Sequence, residues 1–409
     1  MITNKTFSKR IQESLDLTKS AGRWEQLMVT LLRRLELDPA ARQDAEREYK
    51  ALAERVADRL DLPHHSVDVI PQGSMRTQTT IRPPGRTNFD LDVVFVLSGP
   101  RYENPDPELF FEEFGTALDG QEGTTGSPTR KNRCWRLPFP NKPYYFDVTP
   151  ATPDPSHVYG AALRVRDPET AWSPSNPTEF AQWFCERADL QFSFQSVSGL
   201  GNLIEARKSV EPLPSDPVRI DDILRRTIQL VKLHRDNVYF YESDKRKEAW
   251  PISVIIVTLA GRAFENIWAT RRNSFSSPME VVLAVIEDMP NWITRDAAGN
   301  YFVHNPALET ENFAERWNTD GGLRAAEFFR WHQRLENDIE ALLTDEYSKS
   351  SENKLKAIFG QVGVDAWLAS LPETKQSAPL LKGLVASSGI EVSNPRVATP
   401  VGRNTRTLA

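Results

Sequence analysis

The sequence predicts an α+β fold, in which a mixed sheet with its helices packs on a C-terminal helical domain. Apolar residues recur at helical spacing over the first 60 residues, as Leu27, Leu31 and Leu35 do. Short strand-like runs separated by turn residues follow between about residues 67 and 150. Helical patterns return beyond residue 220. This succession of helical, strand-rich and helical zones is the basis of the predicted fold class.

Four parts of the chain follow from this pattern. They are N-terminal helices over residues 1–62, a sheet-bearing core over 63–205, a helical domain over 206–371 and a flexible tail over 372–409. The N-terminal part is expected to hold two helices separated at Asp38-Pro39. The tail is predicted because periodicity ends there and Ser, Thr, Pro and Gly increase.

Individual elements are predicted within these parts. Strands are expected in VDVI, DLDVVFVL, RCWRLPF and YYFDVTPA, and a helix near 107–118. Residues 153–177 are crowded with proline, serine and asparagine, which favours an ordered loop over the strands. Helices are expected in DDILRRTIQLVKLHRDNVYF and PISVIIVTLAGRAFENIWA, and around 278–288, 311–317 and 323–344.

Composition limits the class of protein. The formal net charge of -6 argues against a protein that coats nucleic acid non-specifically. Two cysteines, Cys134 and Cys185, exclude a disulfide framework and fit a reducing, cytoplasmic setting. The first residues show no apolar segment of a secretory signal, and the longest apolar run, 251–261, is too short for a membrane span.

Two aspartates interrupt the apolar strand predicted in DLDVVFVL. Alternate side chains on a strand share a face, so Asp90 and Asp92 project to one side while Leu91 and Val93 project to the other. Carboxylates this close repel one another unless a cation lies between them, and an all-oxygen site suits Mg²⁺ or Mn²⁺. Taken alone, the pair is also typical of a half-exposed edge strand.

Two neighbouring segments supply what phosphate chemistry needs. Gly73-Ser74 in PQGSMRT follows VDVI, where the glycine allows close backbone approach and the serine offers a hydroxyl and an amide to a phosphate. Asp147 in YYFDVTPA is a third aspartate on a second apolar strand. Each is ordinary by itself. Together they indicate a phosphate cradle and three metal-binding carboxylates, the third of which helps to deprotonate an attacking hydroxyl.

The ordered run PQGSMRTQT, FDLDVVFVL and FDVTPA resembles the bacterial cGAS/DncV-like nucleotidyltransferases (CD-NTases) of the DNA polymerase β superfamily. The segments LRRTIQLVKLHRD, PISVIIVTLA and NPALETENFAERW are similar to that family as well, so the resemblance covers about residues 49–317. It implies a polymerase β-like nucleotidyltransferase core over 63–205 and a helical domain over 206–371 that closes the donor nucleotide site. No P-loop competes, because GSMRT lacks the Walker A lysine.

The resemblance also implies roles for single residues. Asp90, Asp92 and Asp147 are expected to be catalytic and to bind two Mg²⁺ ions, for which Mn²⁺ can substitute. The donor triphosphate is expected to be held by Gly73, Ser74, Lys232 and Ser253, with Gln72 and Thr77 beside the cradle, while Trp172, Ser173 and Asn176 are candidates for the base pocket. A cation such as Lys232 next to the departing pyrophosphate stabilises the negative charge that develops on it. Without the resemblance, Lys232 is typical of a solvated lysine on a helix, and Ser253 is typical of a helix cap.

The activity that the resemblance implies is template-independent synthesis of a cyclic oligonucleotide second messenger from nucleoside triphosphates, with pyrophosphate release, in CBASS antiphage signalling. A purine-containing cyclic dinucleotide is favoured because such products are common in the family. Two alternatives stay open. An RNA-tailing or CCA-type nucleotidyltransferase requires an RNA-binding surface, and a non-catalytic nucleotide-binding scaffold typically loses a metal carboxylate.

The same resemblance indicates partners. Nucleoside triphosphates are the substrates, and a downstream effector responds to the soluble product. Animal cGAS binds DNA with a zinc-binding insertion, whose ligand spacing is lacking among the six histidines and two cysteines here, so zinc-mediated DNA binding is not expected. Some operons of the family encode an E1/E2-like protein that conjugates the synthase through its C-terminus, which makes Ala409 a candidate attachment site; an unmodified tail is the alternative.

Overall fold

A mixed sheet runs through the strand-rich middle of the chain. The structure, a computed structural model, describes residues 5–36, 38–82, 88–120, 127–157, 159–194, 222–344 and 350–371. The sheet strands in these ranges are β1 (Val67–Pro71), β2 (Phe89–Leu97), β3 (Thr129–Arg130), β4 (Trp135–Pro138), β5 (Tyr144–Pro153), β6 (Leu163–Asp167) and β7 (Ala171–Ser175). Their order is β1-β2-β5-β4-β3, with β6 paired to the end of β5 and β7 paired to β6. Strands β2 and β5 are parallel, and the other pairs are antiparallel.

Strand β2 is buried on both faces only in its second half. Leu91, Val93 and Phe95 lie in the main core, whereas Val94 and Val96 pack on the opposite face with a smaller apolar group from β5 and β6. The first half of the strand therefore has one face without a hydrophobic layer. Asp90 and Asp92 project from that face, which explains how two charges fit into an otherwise apolar strand.

Twelve helices are present in the described ranges. They are α1 (Phe7–Thr18), α2 (Ala21–Arg33), α3 (Pro39–Arg59), α4 (Gly73–Arg76), α5 (Pro107–Leu118), α6 (Pro177–Ala188), α7 (Ile223–Phe240), α8 (Asp244–Glu248), α9 (Ser253–Arg271), α10 (Pro278–Asp288), α11 (Leu323–Leu343) and α12 (Ser350–Ser370), the last kinked at Gly360. Short hairpins are formed by β8 (Thr294–Arg295) with β9 (Tyr301–Phe302), and by β10 (His304–Asn305) with β11 (Leu308–Asn312). None of these helices combines the length and the hydrophobicity that crossing a membrane requires.

Helix α7 connects the helical part of the fold to the sheet-bearing core. The helix is buried from Ile223 to Tyr239, so its polar side chains need partners inside the protein. Three of them lie on one side and donate hydrogen bonds to the chain that follows α4. Arg225 Nε donates to the Thr77 carbonyl (2.9 Å), Gln229 Nε2 to that of Thr80 (3.3 Å) and Lys232 Nζ to that of Thr79 (3.0 Å). These bonds fix the helix against the Gly-Ser turn.

Several predicted elements match the structure. Helices α5 and α10 have the predicted bounds; β1, β2 and β5 contain three of the predicted strands, and β4 lies within the fourth, RCWRLPF. The α+β class with a mixed sheet and a helical C-terminal part is confirmed. The described residues up to Ser370 form one compact unit, and the predicted boundaries near 62 and 205 stay predictions. The predicted tail, 372–409, lies outside the described residues.

Three expectations were wrong in detail. The N-terminal part holds three helices rather than two. Residues 163–175 form the hairpin β6–β7 rather than a loop, because Leu163 and Val165 alternate with arginines and bury against β5. Residues 311–317 contain the end of β11 and a 3₁₀ turn at Glu315–Trp317 instead of a helix. Helix α12 was not anticipated.

Candidate active site

A cleft of about 880 Å³ lies where the first half of β2 faces helices α7 and α9. Its lining comes from α4 and the residues after it, from β2, from the start of α6, from α7 and α9, and from the β10–β11 hairpin. Of the residues predicted from the sequence, Gln72, Gly73, Ser74, Asp90, Asp92, Lys232 and Ser253 all line it. Segments more than 150 residues apart in the chain thus meet in one cavity.

Three aspartates come together on the sheet beside this cleft, and of these Asp90 and Asp92 line it whereas Asp147 does not. Asp90 and Asp92 share one side of β2, and Asp92 lies directly opposite Asp147 in the parallel β2–β5 register. One carboxylate oxygen from each residue lies within 4.8 Å of the other two. Their exposure decreases in order, from exposed Asp90 to buried Asp147. Three oxygen ligands at this spacing are the donor set that a hard divalent cation prefers, so the residues present fit a divalent metal.

The electrostatics of the cluster agree with that fit. Burial, followed by the charges of Asp90 and Asp147, holds the pKa of Asp92 well above its ordinary value, while Lys232 and Arg136 act in the opposite direction. Without a cation, the cluster therefore disfavours full ionisation. A bound divalent ion removes this repulsion and stabilises the carboxylates in the charged form that coordinates it.

The Gly-Ser turn contacts the acidic cluster directly. Gly73 has φ of +60°, and a β-carbon added there would lie 2.4 Å from Asp92 Oδ2. The Gln72 amide donates to the Asp92 carbonyl at 3.0 Å, so the turn is joined to β2. Ser74 Oγ accepts a hydrogen bond from Thr80 Oγ1 at 3.2 Å and lines the cleft. Only a glycine meets both the left-handed backbone and the close approach.

Two predicted residues from the helical part have defined partners. Lys232 Nζ donates to the Thr79 carbonyl, and burial, followed by the charge of Arg235, lowers the pKa of Lys232 to about 8. Ser253 is the first residue of α9, and its Oγ accepts from Arg235 Nη1 at 3.0 Å. Both residues thus line the cleft, Lys232 as a cation and Ser253 as a partner of the Arg235 guanidinium. Their roles toward a triphosphate stay predictions.

Arg136 was missed by the sequence reasoning. It lies on β4 opposite Asp147 in the antiparallel register, and it donates to that carboxylate from Nε (2.8 Å) and Nη2 (2.7 Å). Its guanidinium also stacks on Tyr145, 4.1 Å from the ring centre. An isolated arginine in a strand gives no local signal, because its role depends on strand pairing.

The three candidates for the base pocket differ in position. Asn176 lines the cleft, where it caps α6 by accepting from the Glu179 amide at 3.1 Å. Trp172 packs on Phe110, with ring centres 5.6 Å apart, and under Arg164, and is not among the cleft-lining residues. Ser173 is buried in β7 opposite Val165. The tryptophan is therefore part of the packing.

The fold and the acidic cluster place this chain among the metal-dependent nucleotidyltransferases, the enzyme class predicted from the sequence. The model of one family, the Second Messenger Oligonucleotide or Dinucleotide Synthetase domain (SMODS), matches residues 24–187. Together with the two relatives described next, this match supports the resemblance to the CD-NTases that the sequence indicates.

Two relatives align over most of the chain. A c-di-GMP synthase of Roseivirga ehrenbergii is 26% identical over 299 residues, 72% of each protein. The cyclic dinucleotide synthase CdnG of Bradyrhizobium diazoefficiens is 25% identical over 309 residues, 71% of this chain and 69% of the relative. The solved structure of that CdnG in complex with GTP superposes with a TM-score of 0.63 at 22% identity, covering 84% of this chain and 97% of the other. At that identity, the superposition shows the shared fold.

Proposed function

We propose that this chain joins two nucleoside triphosphates into a cyclic dinucleotide that contains at least one purine, and releases pyrophosphate at each bond. The observation that carries the proposal is the cluster of Asp90, Asp92 and Asp147, of which the first two line a cleft beside the Gly73-Ser74 turn. The functions of the two relatives, c-di-GMP synthesis and cyclic dinucleotide synthesis, support the product class.

The proposed reaction forms one bond and breaks one in each round. A ribose hydroxyl oxygen attacks the α-phosphorus of a triphosphate and loses its proton with the help of the Asp147 carboxylate. A new P–O ester bond forms, and the bond to the β-phosphate oxygen breaks to release pyrophosphate. The linear intermediate then presents its own triphosphate to its other ribose hydroxyl, and a second round closes the ring. A volume of about 880 Å³ is at the upper end of small-molecule sites and suits two nucleotides better than one.

The residues of the cleft are proposed to act as follows. Asp90, Asp92 and Asp147 hold two Mg²⁺ ions, which supply neutralisation of the phosphate charge and a lower pKa for the attacking hydroxyl. Gly73 and Ser74 contact the donor triphosphate, with Gln72 beside them. Lys232 and Ser253, which also line the cleft, hold the leaving pyrophosphate. Arg136 donates to both oxygens of Asp147, so it would have to share that carboxylate with a metal bound there.

The experiment is synthesis without added nucleic acid. Purified protein is incubated with each combination of the four nucleoside triphosphates and Mg²⁺ or Mn²⁺, then treated with phosphatase and measured by mass spectrometry. A phosphatase-resistant cyclic dinucleotide is expected, and it disappears when Asp90 and Asp92 are both changed to Ala. Asp68→Asn, an exposed position on β1, serves as the control. If the protein instead extended added RNA and made no cyclic product, the result would support an RNA-tailing nucleotidyltransferase.

The biological setting is also a proposal. The product acts in the cytoplasm as a second messenger in antiphage signalling and activates an effector, and an E1/E2-like protein conjugates the chain at Ala409. The similarity to that family supports these points. Ala409 lies outside the described residues. Deleting the last residues is expected to block conjugation and to leave synthesis unchanged, and a truncated chain that is still conjugated would refute the attachment site.

A further inference from the structure

A carboxylate lines the cleft that the nucleotidyl transfer proposed above does not use. Glu311 lies on β11, half-buried, and faces the cleft together with Asn176, Asn305, Phe180 and Phe313. These five residues, which we call the Glu311 group, come from the start of α6 and from the β10–β11 hairpin. None of them belongs to the acidic cluster or to the turn that binds the triphosphate in the proposal.

The hydrogen bonds of Glu311 involve only one of its oxygens. Oε2 accepts from the Asn176 backbone amide at 3.0 Å and from Asn305 Nδ2 at 2.7 Å. Among the described residues, no hydrogen bond reaches Oε1. A carboxylate has about four acceptor positions, so half of this capacity remains on the Oε1 side.

The two asparagine side chains of the group are already committed. Asn176 Oδ1 accepts from the Glu179 amide at 3.1 Å, and its Nδ2 donates to Glu179 Oε2 at 2.7 Å. Asn305 Oδ1 accepts from the Ala307 amide at 2.9 Å, and its Nδ2 donates to Glu311. The polar capacity that this group presents to a ligand is therefore the Glu311 carboxylate, which in its ionised form accepts hydrogen bonds and donates none.

The aromatic members give the group an apolar surface. Phe180 and Phe313 are packed edge to face, with ring centres 5.6 Å apart, and both are only half-buried. Exposed ring surface beside a polar contact is what a flat heterocyclic base requires, because its faces pack on aromatic side chains while its edge forms hydrogen bonds.

Of the four RNA bases, guanine matches an acceptor-only group best. Its Watson–Crick edge presents two adjacent donors, N1–H and the 2-amino group. Adenine presents one donor next to the lone pair of N1, cytosine one donor next to the lone pair of N3, and uracil a single N–H between two carbonyl oxygens. A carboxylate would face a lone pair in each of these alternatives, and such repulsion discriminates strongly in a partly desolvated site.

We infer that Glu311 selects guanine, by accepting hydrogen bonds from N1–H and the 2-amino group of a GTP bound in the cleft. Guanine then occupies at least one position of the product. The inference deepens the proposed function and rests on it, because it names the base that the same cleft recognises. Burial raises the pKa of Glu311 to about 7, which agrees with a carboxylate that lacks a strong donor until a ligand supplies one.

The test compares GTP with inosine triphosphate, which keeps N1–H and lacks only the 2-amino group. Calorimetry with Ca²⁺ in place of Mg²⁺ gives the Kd of each nucleotide for the wild type, for Glu311→Gln and for the control Glu309→Gln, an exposed position on the same strand. The glutamine oxygen still accepts from Asn176 and Asn305, so the hairpin keeps its contacts. Equal Tm values for the three proteins check this point.

The wild type and Glu309→Gln are expected to bind GTP at least ~10-fold more tightly than inosine triphosphate. In Glu311→Gln, the ratio is expected to fall within ~3-fold, because the amide places a donor opposite the guanine donors. Equal affinities in the wild type, or an undiminished ratio in Glu311→Gln, would overturn the inference. Failure of the proposed function is a separate result, the absence of cyclic product, and the binding ratio still decides the role of Glu311 in that case.

Discussion

The contact between Gly73 and Asp92 gives a prediction whose size follows from the structure. A β-carbon at Gly73 would lie 2.4 Å from Asp92 Oδ2, whereas ordinary contacts begin near 3.4 Å. In Gly73→Ala the carboxylate therefore has to withdraw by about 1 Å, or the turn has to move by the same amount. A misplacement of about 1 Å at a reacting centre costs about 10²-fold in rate.

The same substitution also strains the backbone, and a matched control separates the two effects. Gly73 has φ of +60°, where an alanine costs about 1–2 kcal/mol. Gly321 has φ of +70° with no atom within 4 Å of an added β-carbon, so Gly321→Ala carries similar strain without the contact. Both variants are expected to lose similar stability in thermal unfolding.

The assay is the initial rate of pyrophosphate release from nucleoside triphosphates with saturating Mg²⁺. Gly73→Ala is expected to lose about 10²-fold in kcat/KM, while Gly321→Ala stays within ~3-fold of the wild type. If Gly73→Ala retained the rate of Gly321→Ala, the turn would not control the position of Asp92, and the reasoning would be wrong.

Three further predictions concern charge. Asp92→Asn is expected to lower synthesis at least ~10³-fold. It is also expected to raise the Tm of the metal-free protein, more at pH 8 than at pH 5, because folding raises the pKa of Asp92 and the charged carboxylate becomes destabilising as pH rises. Thermal unfolding with and without Mg²⁺ measures this effect, and the control Asp68→Asn is expected to change neither the rate nor the Tm. Lys232→Met is expected to lower kcat/KM by ~10²-fold. The wild-type kcat/KM is expected to decline above pH 8, because the lysine has a pKa of about 8 and loses its proton there. If kcat/KM of Lys232→Arg also declined above pH 8, the titration would belong to another group. The preference for GTP over inosine triphosphate is expected to decrease when the pH is lowered from 8 to 6, because the Glu311 carboxyl takes up a proton near pH 7 and loses acceptor capacity. Calorimetry at the two pH values measures the preference, and an equal preference at both would contradict this prediction.

Local sequence was sufficient where an element is specified by its own residues. Helix α5 begins after Asp106, whose side chain caps the amides of Glu108 and Leu109, and Pro107 suits the first turn. The shared face of Asp90 and Asp92 followed from the strand period of two, and the structure confirms it. Both features depend on neighbours within a few residues, so no knowledge of the fold was needed.

Local composition was misleading where two signals competed. In residues 163–175, proline and serine suggested a loop, although Leu163 and Val165 already alternated with arginines. Burial of these two side chains against β5 decided in favour of a hairpin. The sequence makes Trp172 a candidate for the base pocket, whereas β7 directs it onto Phe110, because its position depends on a strand that the local pattern does not predict.

The sequence by itself determined which chemistry this protein carries, since three aspartates and a Gly-Ser turn can be recognised by residue type and spacing. Only the tertiary structure decided how those groups are controlled. Arg136 contacts Asp147 because the strand register pairs them, and the packing of α7 buries Lys232 against the Thr79 carbonyl. Glu311, more than 160 residues beyond Asp147 in the chain, reaches the cleft through the β10–β11 hairpin. The physical reason is that charge, burial and acceptor capacity at a site depend on which distant segments fold around it.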